Sequence, residues 1–422
     1  MKPVDYQLVI IGAGPAGLAA AAAAASAGQA IALVDDNPYS GGQIWRGGAQ
    51  QQVDARARAL WAQIQHSSHI RYLPGQRVVA ALPQQQLLLE TVDGGAASML
   101  RYQKLVVASG ARELFLPFPG WTLPGVSGAG GLQALCKGGF PLAGKRVVVA
   151  GSGPLLLAVA ATLQQRGAQV THVLEQASRR QLGGFGLSLL RWPAKLRQAW
   201  QLRRHLAGTR YHADSYVLAA SGTTHLQQIS VRIGGKLQQI ECDYLACGYG
   251  LLPNTELAAA LGCAIDDGKL RVDQHQQSSV PGIYGAGEIN GIGGVDLALV
   301  AGELAGLAAS ARLDRQAARA RQLCAQRRHG LAFGRLLVRH FALRPELLQL
   351  CQPDTLVCRC EDVPYAALQQ HADWRSAKLH TRCGMGACQG RICGAATAAL
   401  FGWSKDAARI PLAPTRIASL ID

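Results

Sequence analysis

Residues 7–17 read Gln7-Leu8-Val9-Ile10-Ile11-Gly12-Ala13-Gly14-Pro15-Ala16-Gly17, and this stretch decides the fold. A short apolar strand runs into three glycines at G-x-G-x-x-G spacing, and an alanine-rich helix opens at Pro15 and Ala16. Gly12 permits the tight turn, Gly14 lets the backbone approach a pyrophosphate, and Gly17 permits close helix packing. The helix N-terminus then presents unpaired N–H groups to phosphate. A second apolar strand follows and ends at Asp35, an acid in the right region to bind ribose hydroxyls. Strand, turn, helix, strand and terminal acid together predict a dinucleotide-binding unit.

Working outward, residues 41–48 form a glycine-rich loop that holds Gly42, Gln43 and Arg46. A helix near 53–65 and short strands near 70–72, 78–82 and 87–92 are expected. A buried strand at 105–108 ends at Ser109-Gly110-Ala111-Arg112. A second strand–turn–helix starts at 146–150 and turns at Gly151-Ser152-Gly153-Pro154, and its next strand ends at Glu175. Its third motif position is Leu156 instead of glycine. An empty folded domain, an adenine-nucleotide site (ATP or NAD(P)) and a catalytic nicotinamide site all stay open for it. Gly285-Ala286-Gly287-Glu288 reads as the first unit resuming, so one unit is inserted in the other. A helix is expected over 302–322 and a basic connector after it.

The expected class is α/β: two Rossmann-like, glutathione-reductase-type nucleotide-binding domains, one inserted in the other, plus a small C-terminal cysteine-rich domain that a family resemblance implies is a helical iron–sulfur module. The expected boundaries are 1–118 and 279–322 for the first domain and 119–278 for the second. A basic helical connector over 323–352 and a cysteine-rich module over 353–422 complete the division.

Five cysteines lie in the module over 353–422: Cys358 and Cys360 in C-R-C-E, then Cys383, Cys388 and Cys393 in T-R-C-G-M-G-A-C-Q-G-R-I-C. Thiolates donate strongly to ferric iron and suit an iron–sulfur centre; zinc would accept the same ligands. Cys358, Cys360, Cys388 and Cys393 are the expected [2Fe–2S] ligands, and Cys383 is the ambiguous fifth. A flavin accepts two electrons at once and a cluster passes them singly, so the pairing reads as an electron-transfer flavoprotein. No C-x-x-C pair lies in the flavoprotein core, and Cys242 and Cys247, although spaced C-x₄-C, read as buried inert thiols, which argues against a dithiol relay. No catalytic general base can be named.

The totals bound the rest. The formal charge is +16, from 42 Lys+Arg against 26 Asp+Glu, yet no nucleic-acid-binding motif accompanies it. The glycine pattern makes the apolar run at 8–25 a strand–turn–helix and not a membrane span. The cytoplasm is the expected compartment, with no signal peptide ahead of the first strand. Peripheral attachment to the inner membrane is a secondary expectation.

With Gly12 to Gly17, Gly41-Gly42-Gln43-Ile44-Trp45-Arg46, Gly151 to Leu156, Gly248-Tyr249-Gly250, Pro253-Asn254-Thr255-Glu256-Leu257, Gly285 to Asp296 and the cysteine block in order, the chain resembles a known family. It is similar to the α-type subunits of bacterial opine oxidases and of hydroxyproline and proline dehydrogenases, and to the B subunit of hydrogen cyanide synthase. More distantly it resembles part of the α subunit of heterotetrameric sarcosine oxidase. The resemblance implies FAD held through Gly12, Gly14, Gly17 and Asp35, with Gly287 and Glu288 completing the site. It implies a [2Fe–2S] module like bacterioferritin-associated ferredoxin, although four residues separate Cys388 from Cys393 where that fold has two. It further implies a catalytic, FAD-containing β subunit that oxidises a secondary amine, FMN at the subunit interface, and a small additional iron–sulfur subunit. This chain would then be one component of an oxidoreductase that works on CH–NH donors. The alternatives are a stand-alone NAD(P)H-dependent ferredoxin-type reductase and a nucleotide-stabilised assembly subunit without catalysis.

Overall fold

A computed structural model describes residues 2–314, 316–404 and 408–421. The chain forms two compact units: residues 1–112, 252–334 and 407–422 in the first, and 113–251 with 335–406 in the second.

The first unit is built on a seven-stranded sheet. Strand Val4–Ile11 lies at its centre, parallel to Ile31–Val34 on one side and to Ser98–Val107 on the other. Ile70–Leu73 extends the parallel part beyond Ile31–Val34. Ser98–Val107 is long enough to serve two neighbours. Its start pairs antiparallel with Gln86–Thr91 and its end pairs parallel with Ile283–Gly285. Leu8, Val9, Ile10, Leu33, Leu105 and Val106 are all fully buried, as strands covered on both faces must be.

Helix Pro15–Ala25 is apolar all round and almost wholly buried. It packs on helix Gly294–Ala309 through two glycines. A Cβ on Gly302 would lie 2.1 Å from the Ala16 carbonyl oxygen, and one on Gly306 would lie 2.3 Å from that of Ala20. Any side chain at either position would force the helices apart. Residues 408–421 also belong to this unit. Glu90 accepts from the Arg416 backbone N–H (2.9 Å), the Arg416 Nε (2.9 Å) and the Ser419 hydroxyl (2.8 Å).

The second unit carries an all-parallel five-stranded sheet, in the order Arg210–His212, Gln169–Glu175, Arg146–Gly151, Tyr244–Gly248, Val126–Gly128. A three-stranded antiparallel sheet, 215–221, 228–233 and 236–241, accompanies it. Two Rossmann-like sheets are therefore present, as the paired glycine motifs require. The cysteine-bearing residues of this unit form a hairpin, Leu356–Cys358 with Val363–Pro364, and helices Trp374–Thr381 and Cys393–Phe401.

One expectation needs correcting. No single helix covers 302–322: one helix ends at Ala309 and the next runs Ala317–His340. The Ser310 hydroxyl donates to the Gly306 carbonyl and Ala311 takes a left-handed φ of 56°, which turns the chain. The basic stretch from 323 onward is helical as far as His340.

Candidate functional site

In the first unit, strand Val4–Ile11 delivers the chain into the glycine turn at the carboxyl edge of the sheet, where α/β folds bind ligands. Gly12 has φ +102°, and a Cβ there would sit 2.4 Å from the Ala108 carbonyl oxygen. A Cβ on Gly17 would sit 1.7 Å from the Gly12 carbonyl oxygen. Both positions therefore demand glycine. No side chain caps helix Pro15–Ala25, and its first turn contains no acid. Its N-terminal N–H groups are left to an anion. Pro15, which has no N–H to satisfy, occupies the first helical position.

Asp35 is buried at the end of the second strand. Its carboxylate accepts from the Ala13 N–H at 2.6 Å and from the Asn37 N–H at 2.8 Å. Burial raises its pKa, and the hydrogen bonds from Asn37 and Ala13 partly oppose that. The loop over the turn is held by the Gly41 N–H donating to the Ala13 carbonyl at 2.7 Å. Gly42, at φ +58°, comes so close that a Cβ there would lie 3.0 Å from the Gly14 Cα. Arg46 donates to Gln43 at 3.2 Å on the exposed side of this loop.

Gly110 follows the Ser98–Val107 strand with φ +67°. Asn254, which enters the sequence reading only through the resemblance, braces this edge. It exchanges hydrogen bonds with Ser109 and accepts from Arg112 at 2.8 Å, and Arg112 also pairs with Glu256 at 2.9 Å. Gly287 has φ +82°, and a Cβ there would lie 2.8 Å from that of Ala16. Burial raises the pKa of the neighbouring Glu288 carboxyl. Gly12, Gly14, Ala16, Gly17, Asp35, Gly42 and Gly287 thus lie together around one tightly packed turn beneath an uncapped helix N-terminus, and this fits a flavin dinucleotide.

The second unit repeats the turn with different packing. Gly151 has φ +142°, and a Cβ there would lie 1.9 Å from the Gly248 carbonyl oxygen. Gly153 has φ +93°. Leu156, where the first unit has Gly17, is buried in the core between helix Leu155–Gln165 and the sheet. Glu175 is buried too, and its oxygens accept from the Gly153 N–H (2.7 Å) and the Ala177 N–H (2.9 Å). Burial pushes its pKa up to about 7 against these hydrogen bonds. A further acid, half-buried, escaped the sequence reading: Glu113 accepts from the Gly130 and Gly131 N–H groups at 2.6 and 3.0 Å. Both N–H groups lie in the first turn of helix Ala129–Lys137, so Glu113 is an N-terminal cap reached from a distant segment.

The cysteines converge. The sulfurs of Cys358, Cys383 and Cys393 all lie within 4.8 Å of one another, and all three residues are buried. Cys388 interacts with Cys393, and Cys360 with Cys388, on the more exposed side. The chain reaches this geometry through Arg382, which ends helix Trp374–Thr381 in the left-handed region at φ 64°, and through Gly384 and Gly390 at φ +84° and +72°. A Cβ on Gly386 would lie 2.3 Å from that of Cys360. Arg382 pairs with Glu361 at 2.7 Å, so its charge is already engaged.

None of these thiols is in a disulfide. Crowding makes them compete for protons. Cys383 and Cys393 pull Cys358 down to about 2, and Cys393 pulls Cys388 down to about 5. Cys358 in turn pushes Cys383 up to about 12. A soft cation or an iron–sulfur cluster would stabilise all the thiolates together, so the donor set fits such a group. By contrast, burial pushes the Cys242 thiol up to about 12, the behaviour of an inert thiol. Among the described residues no helix is long and apolar enough to cross a membrane.

Comparison with known proteins agrees with this geometry. The family described as pyridine nucleotide-disulphide oxidoreductase matches residues 6–305. The chain is 33% identical to the HcnB subunit of hydrogen cyanide synthase from Pseudomonas protegens, over 91% of this chain and 89% of that protein. It is 32% identical to the A subunit of opine oxidase from Rhizobium meliloti, over 99% of this chain and 98% of that one. Among solved structures, L-proline dehydrogenase from P. horikoshii superposes with a TM-score of 0.69 at 18% identity, covering 100% of this chain and 80% of that one. Thioredoxin reductase from T. acidophilum superposes with a TM-score of 0.56 at 20% identity, covering 73% of this chain and 98% of that one. Likeness at these identities speaks for the fold alone. A flavin cradle that requires its glycines, a second such turn and a family match across most of the chain lead to one conclusion: the chain belongs to the pyridine nucleotide-disulphide oxidoreductase family and is a flavin-dependent oxidoreductase with an added cysteine-cluster module.

Proposed function

We propose that this chain is the electron-transfer subunit of a heteromeric dehydrogenase that oxidises a secondary amine such as an opine, hydroxyproline, proline or sarcosine. The observation that carries the reading is the convergence of five thiols in a chain that also holds a flavin cradle. Full-length similarity to the A subunit of an opine oxidase supports the amine class and the need for a partner. FAD supplies two-electron chemistry and an iron–sulfur cluster supplies one-electron chemistry. Gly12, Gly14, Gly17, Asp35, Gly42 and Glu288 would hold the FAD.

In this reading Cys358, Cys360, Cys388 and Cys393 would hold a [2Fe–2S] centre; Cys358 and Cys393 lie in the buried group with Cys383, and Cys360 and Cys388 lie on the more exposed side. Replacing any of the four by serine is expected to remove the iron and its rhombic paramagnetic resonance signal. Cys383→Ser is expected to keep both. Iron lost in Cys383→Ser and kept in Cys360→Ser would reverse the assignment.

The relay itself is tested by purifying the chain with and without its co-encoded partner and following amine-dependent dye reduction. Activity is expected only when both are present. Full activity from this chain alone would overturn the reading.

A further inference from the structure

The second glycine turn is covered by the chain itself. Helix Ala317–His340 is followed at once by Phe341, Ala342, Leu343 and Arg344. The Ser152 hydroxyl, inside the G-S-G turn, donates to the Phe341 carbonyl at 3.0 Å. Gln176, the residue after the strand-end acid Glu175, donates through its side-chain amide to the Ser152 hydroxyl and to the Ala342 carbonyl, both at 2.9 Å. The side-chain oxygen of Gln176 accepts from the Arg344 N–H at 3.0 Å. Ser152 and Gln176 are both buried under this strap.

Side chains hold it from both sides. The Phe341 ring lies 3.7–3.9 Å from the point where a Cβ of Gly153 would be, and it packs edge-on against Phe185 at 4.8 Å. The His340 ring nitrogen meets the Gln181 carbonyl at 3.0 Å. Arg344 pairs with Asp214 at 2.9 Å and lies over the Tyr216 ring at 4.9 Å.

A bound dinucleotide needs two of these places. Its pyrophosphate must approach the backbone of the second glycine, and its ribose must reach the residues at the end of the second strand. At Gly153 an aromatic ring meets the glycine, whereas at Gly14 the nearest neighbour is another glycine, Gly42. At the strand end, the Gln176 side chain is committed to the strap through both its nitrogen and its oxygen. We infer that the second nucleotide cradle serves as a socket for residues 340–344, and that NAD(P)H neither binds there nor reduces this protein. The hydride or electron donor must therefore be of another chemical class, whether or not the amine-oxidising partner proposed above is the right one.

The test uses the flavin-loaded full chain, titrated with NADH, NADPH and ATP by calorimetry while flavin absorbance is followed. The wild type is expected to show no saturable binding below millimolar concentrations and no bleaching by NADH or NADPH. Phe341→Ala, with flavin content unchanged, is expected to gain at least about tenfold in nucleotide affinity, which corresponds to about 1.4 kcal/mol. Micromolar binding or rapid bleaching in the wild type overturns the inference, as does a flavin-replete Phe341→Ala with no gain. If Phe341→Ala does not fold, hydrogen exchange on the wild type replaces it. Equal protection of residues 151–156 with and without saturating NADH supports the socket, and added protection overturns it. Failure of the partner assay leaves these readouts unmoved, so the two readings fail separately.

Discussion

The two glycine turns start from nearly the same sequence, G-A-G-P-A-G and G-S-G-P-L-L, and end as different objects. In the first, Gly17 lets helix and strand touch, and the covering loop contributes Gly42, which has no side chain. In the second, Leu156 fills the same place as core, and a phenylalanine from another segment stands at Gly153. The contrast shows that a glycine pair is a statement about backbone conformation. Whether the space above it holds a ligand depends on what else the chain brings there.

The sharpest break in this comparison is Gly17→Ala. A Cβ 1.7 Å from a carbonyl oxygen cannot be accommodated without moving the turn, so purified protein is expected to lack FAD, read as the ratio of flavin to protein absorbance. Leu156→Ala probes the other side. Losing a buried leucine should cost about 2–5 kcal/mol of stability in denaturant titration while flavin stoichiometry stays intact.

Asp35→Asn removes an ionised hydrogen-bond acceptor from the flavin cradle. Flavin retention should weaken by about ten- to a hundredfold, as loss of a charged hydrogen bond implies, measured by dialysis against excess competitor. The equivalent change in the second unit, Glu175→Gln, should leave flavin retention unchanged.

Glu175→Gln should act instead on pH dependence. The Glu175 carboxyl is raised to about 7 in the fold, above its ordinary value of 4.5. Between those values the folded state binds more protons than the unfolded one, so stability falls as pH rises through that window. The wild-type melting temperature should therefore drop from pH 4.5 to 7 relative to Glu175→Gln. An identical slope in both proteins would show that the buried carboxyl does not carry the effect.

Much of this was legible in the sequence because it is local. The strand Ile31–Val34, the turn at Gly12 and the helix starting at Pro15 follow from periodicity and glycine spacing over a few residues. The split between helices 294–309 and 317–340 was missed, because the break rests on Ser310 bonding back to Gly306 and on Ala311 turning left-handed. The bracing by Asn254, the cap by Glu113 and the return of residues 408–421 to Glu90 all join positions far apart in the chain. No local pattern marks them.

Two strand–turn–helix units and a cysteine block are readable from the residues alone, because G-x-G turns and closely spaced cysteines are short-range constraints on backbone and ligand type. That Cys383 joins the other thiols and that residues 340–344 lie over the second turn emerge only from the folded chain. Both depend on which distant segments pack together, and that is set by the folded core and not by the spacing of residues along the chain.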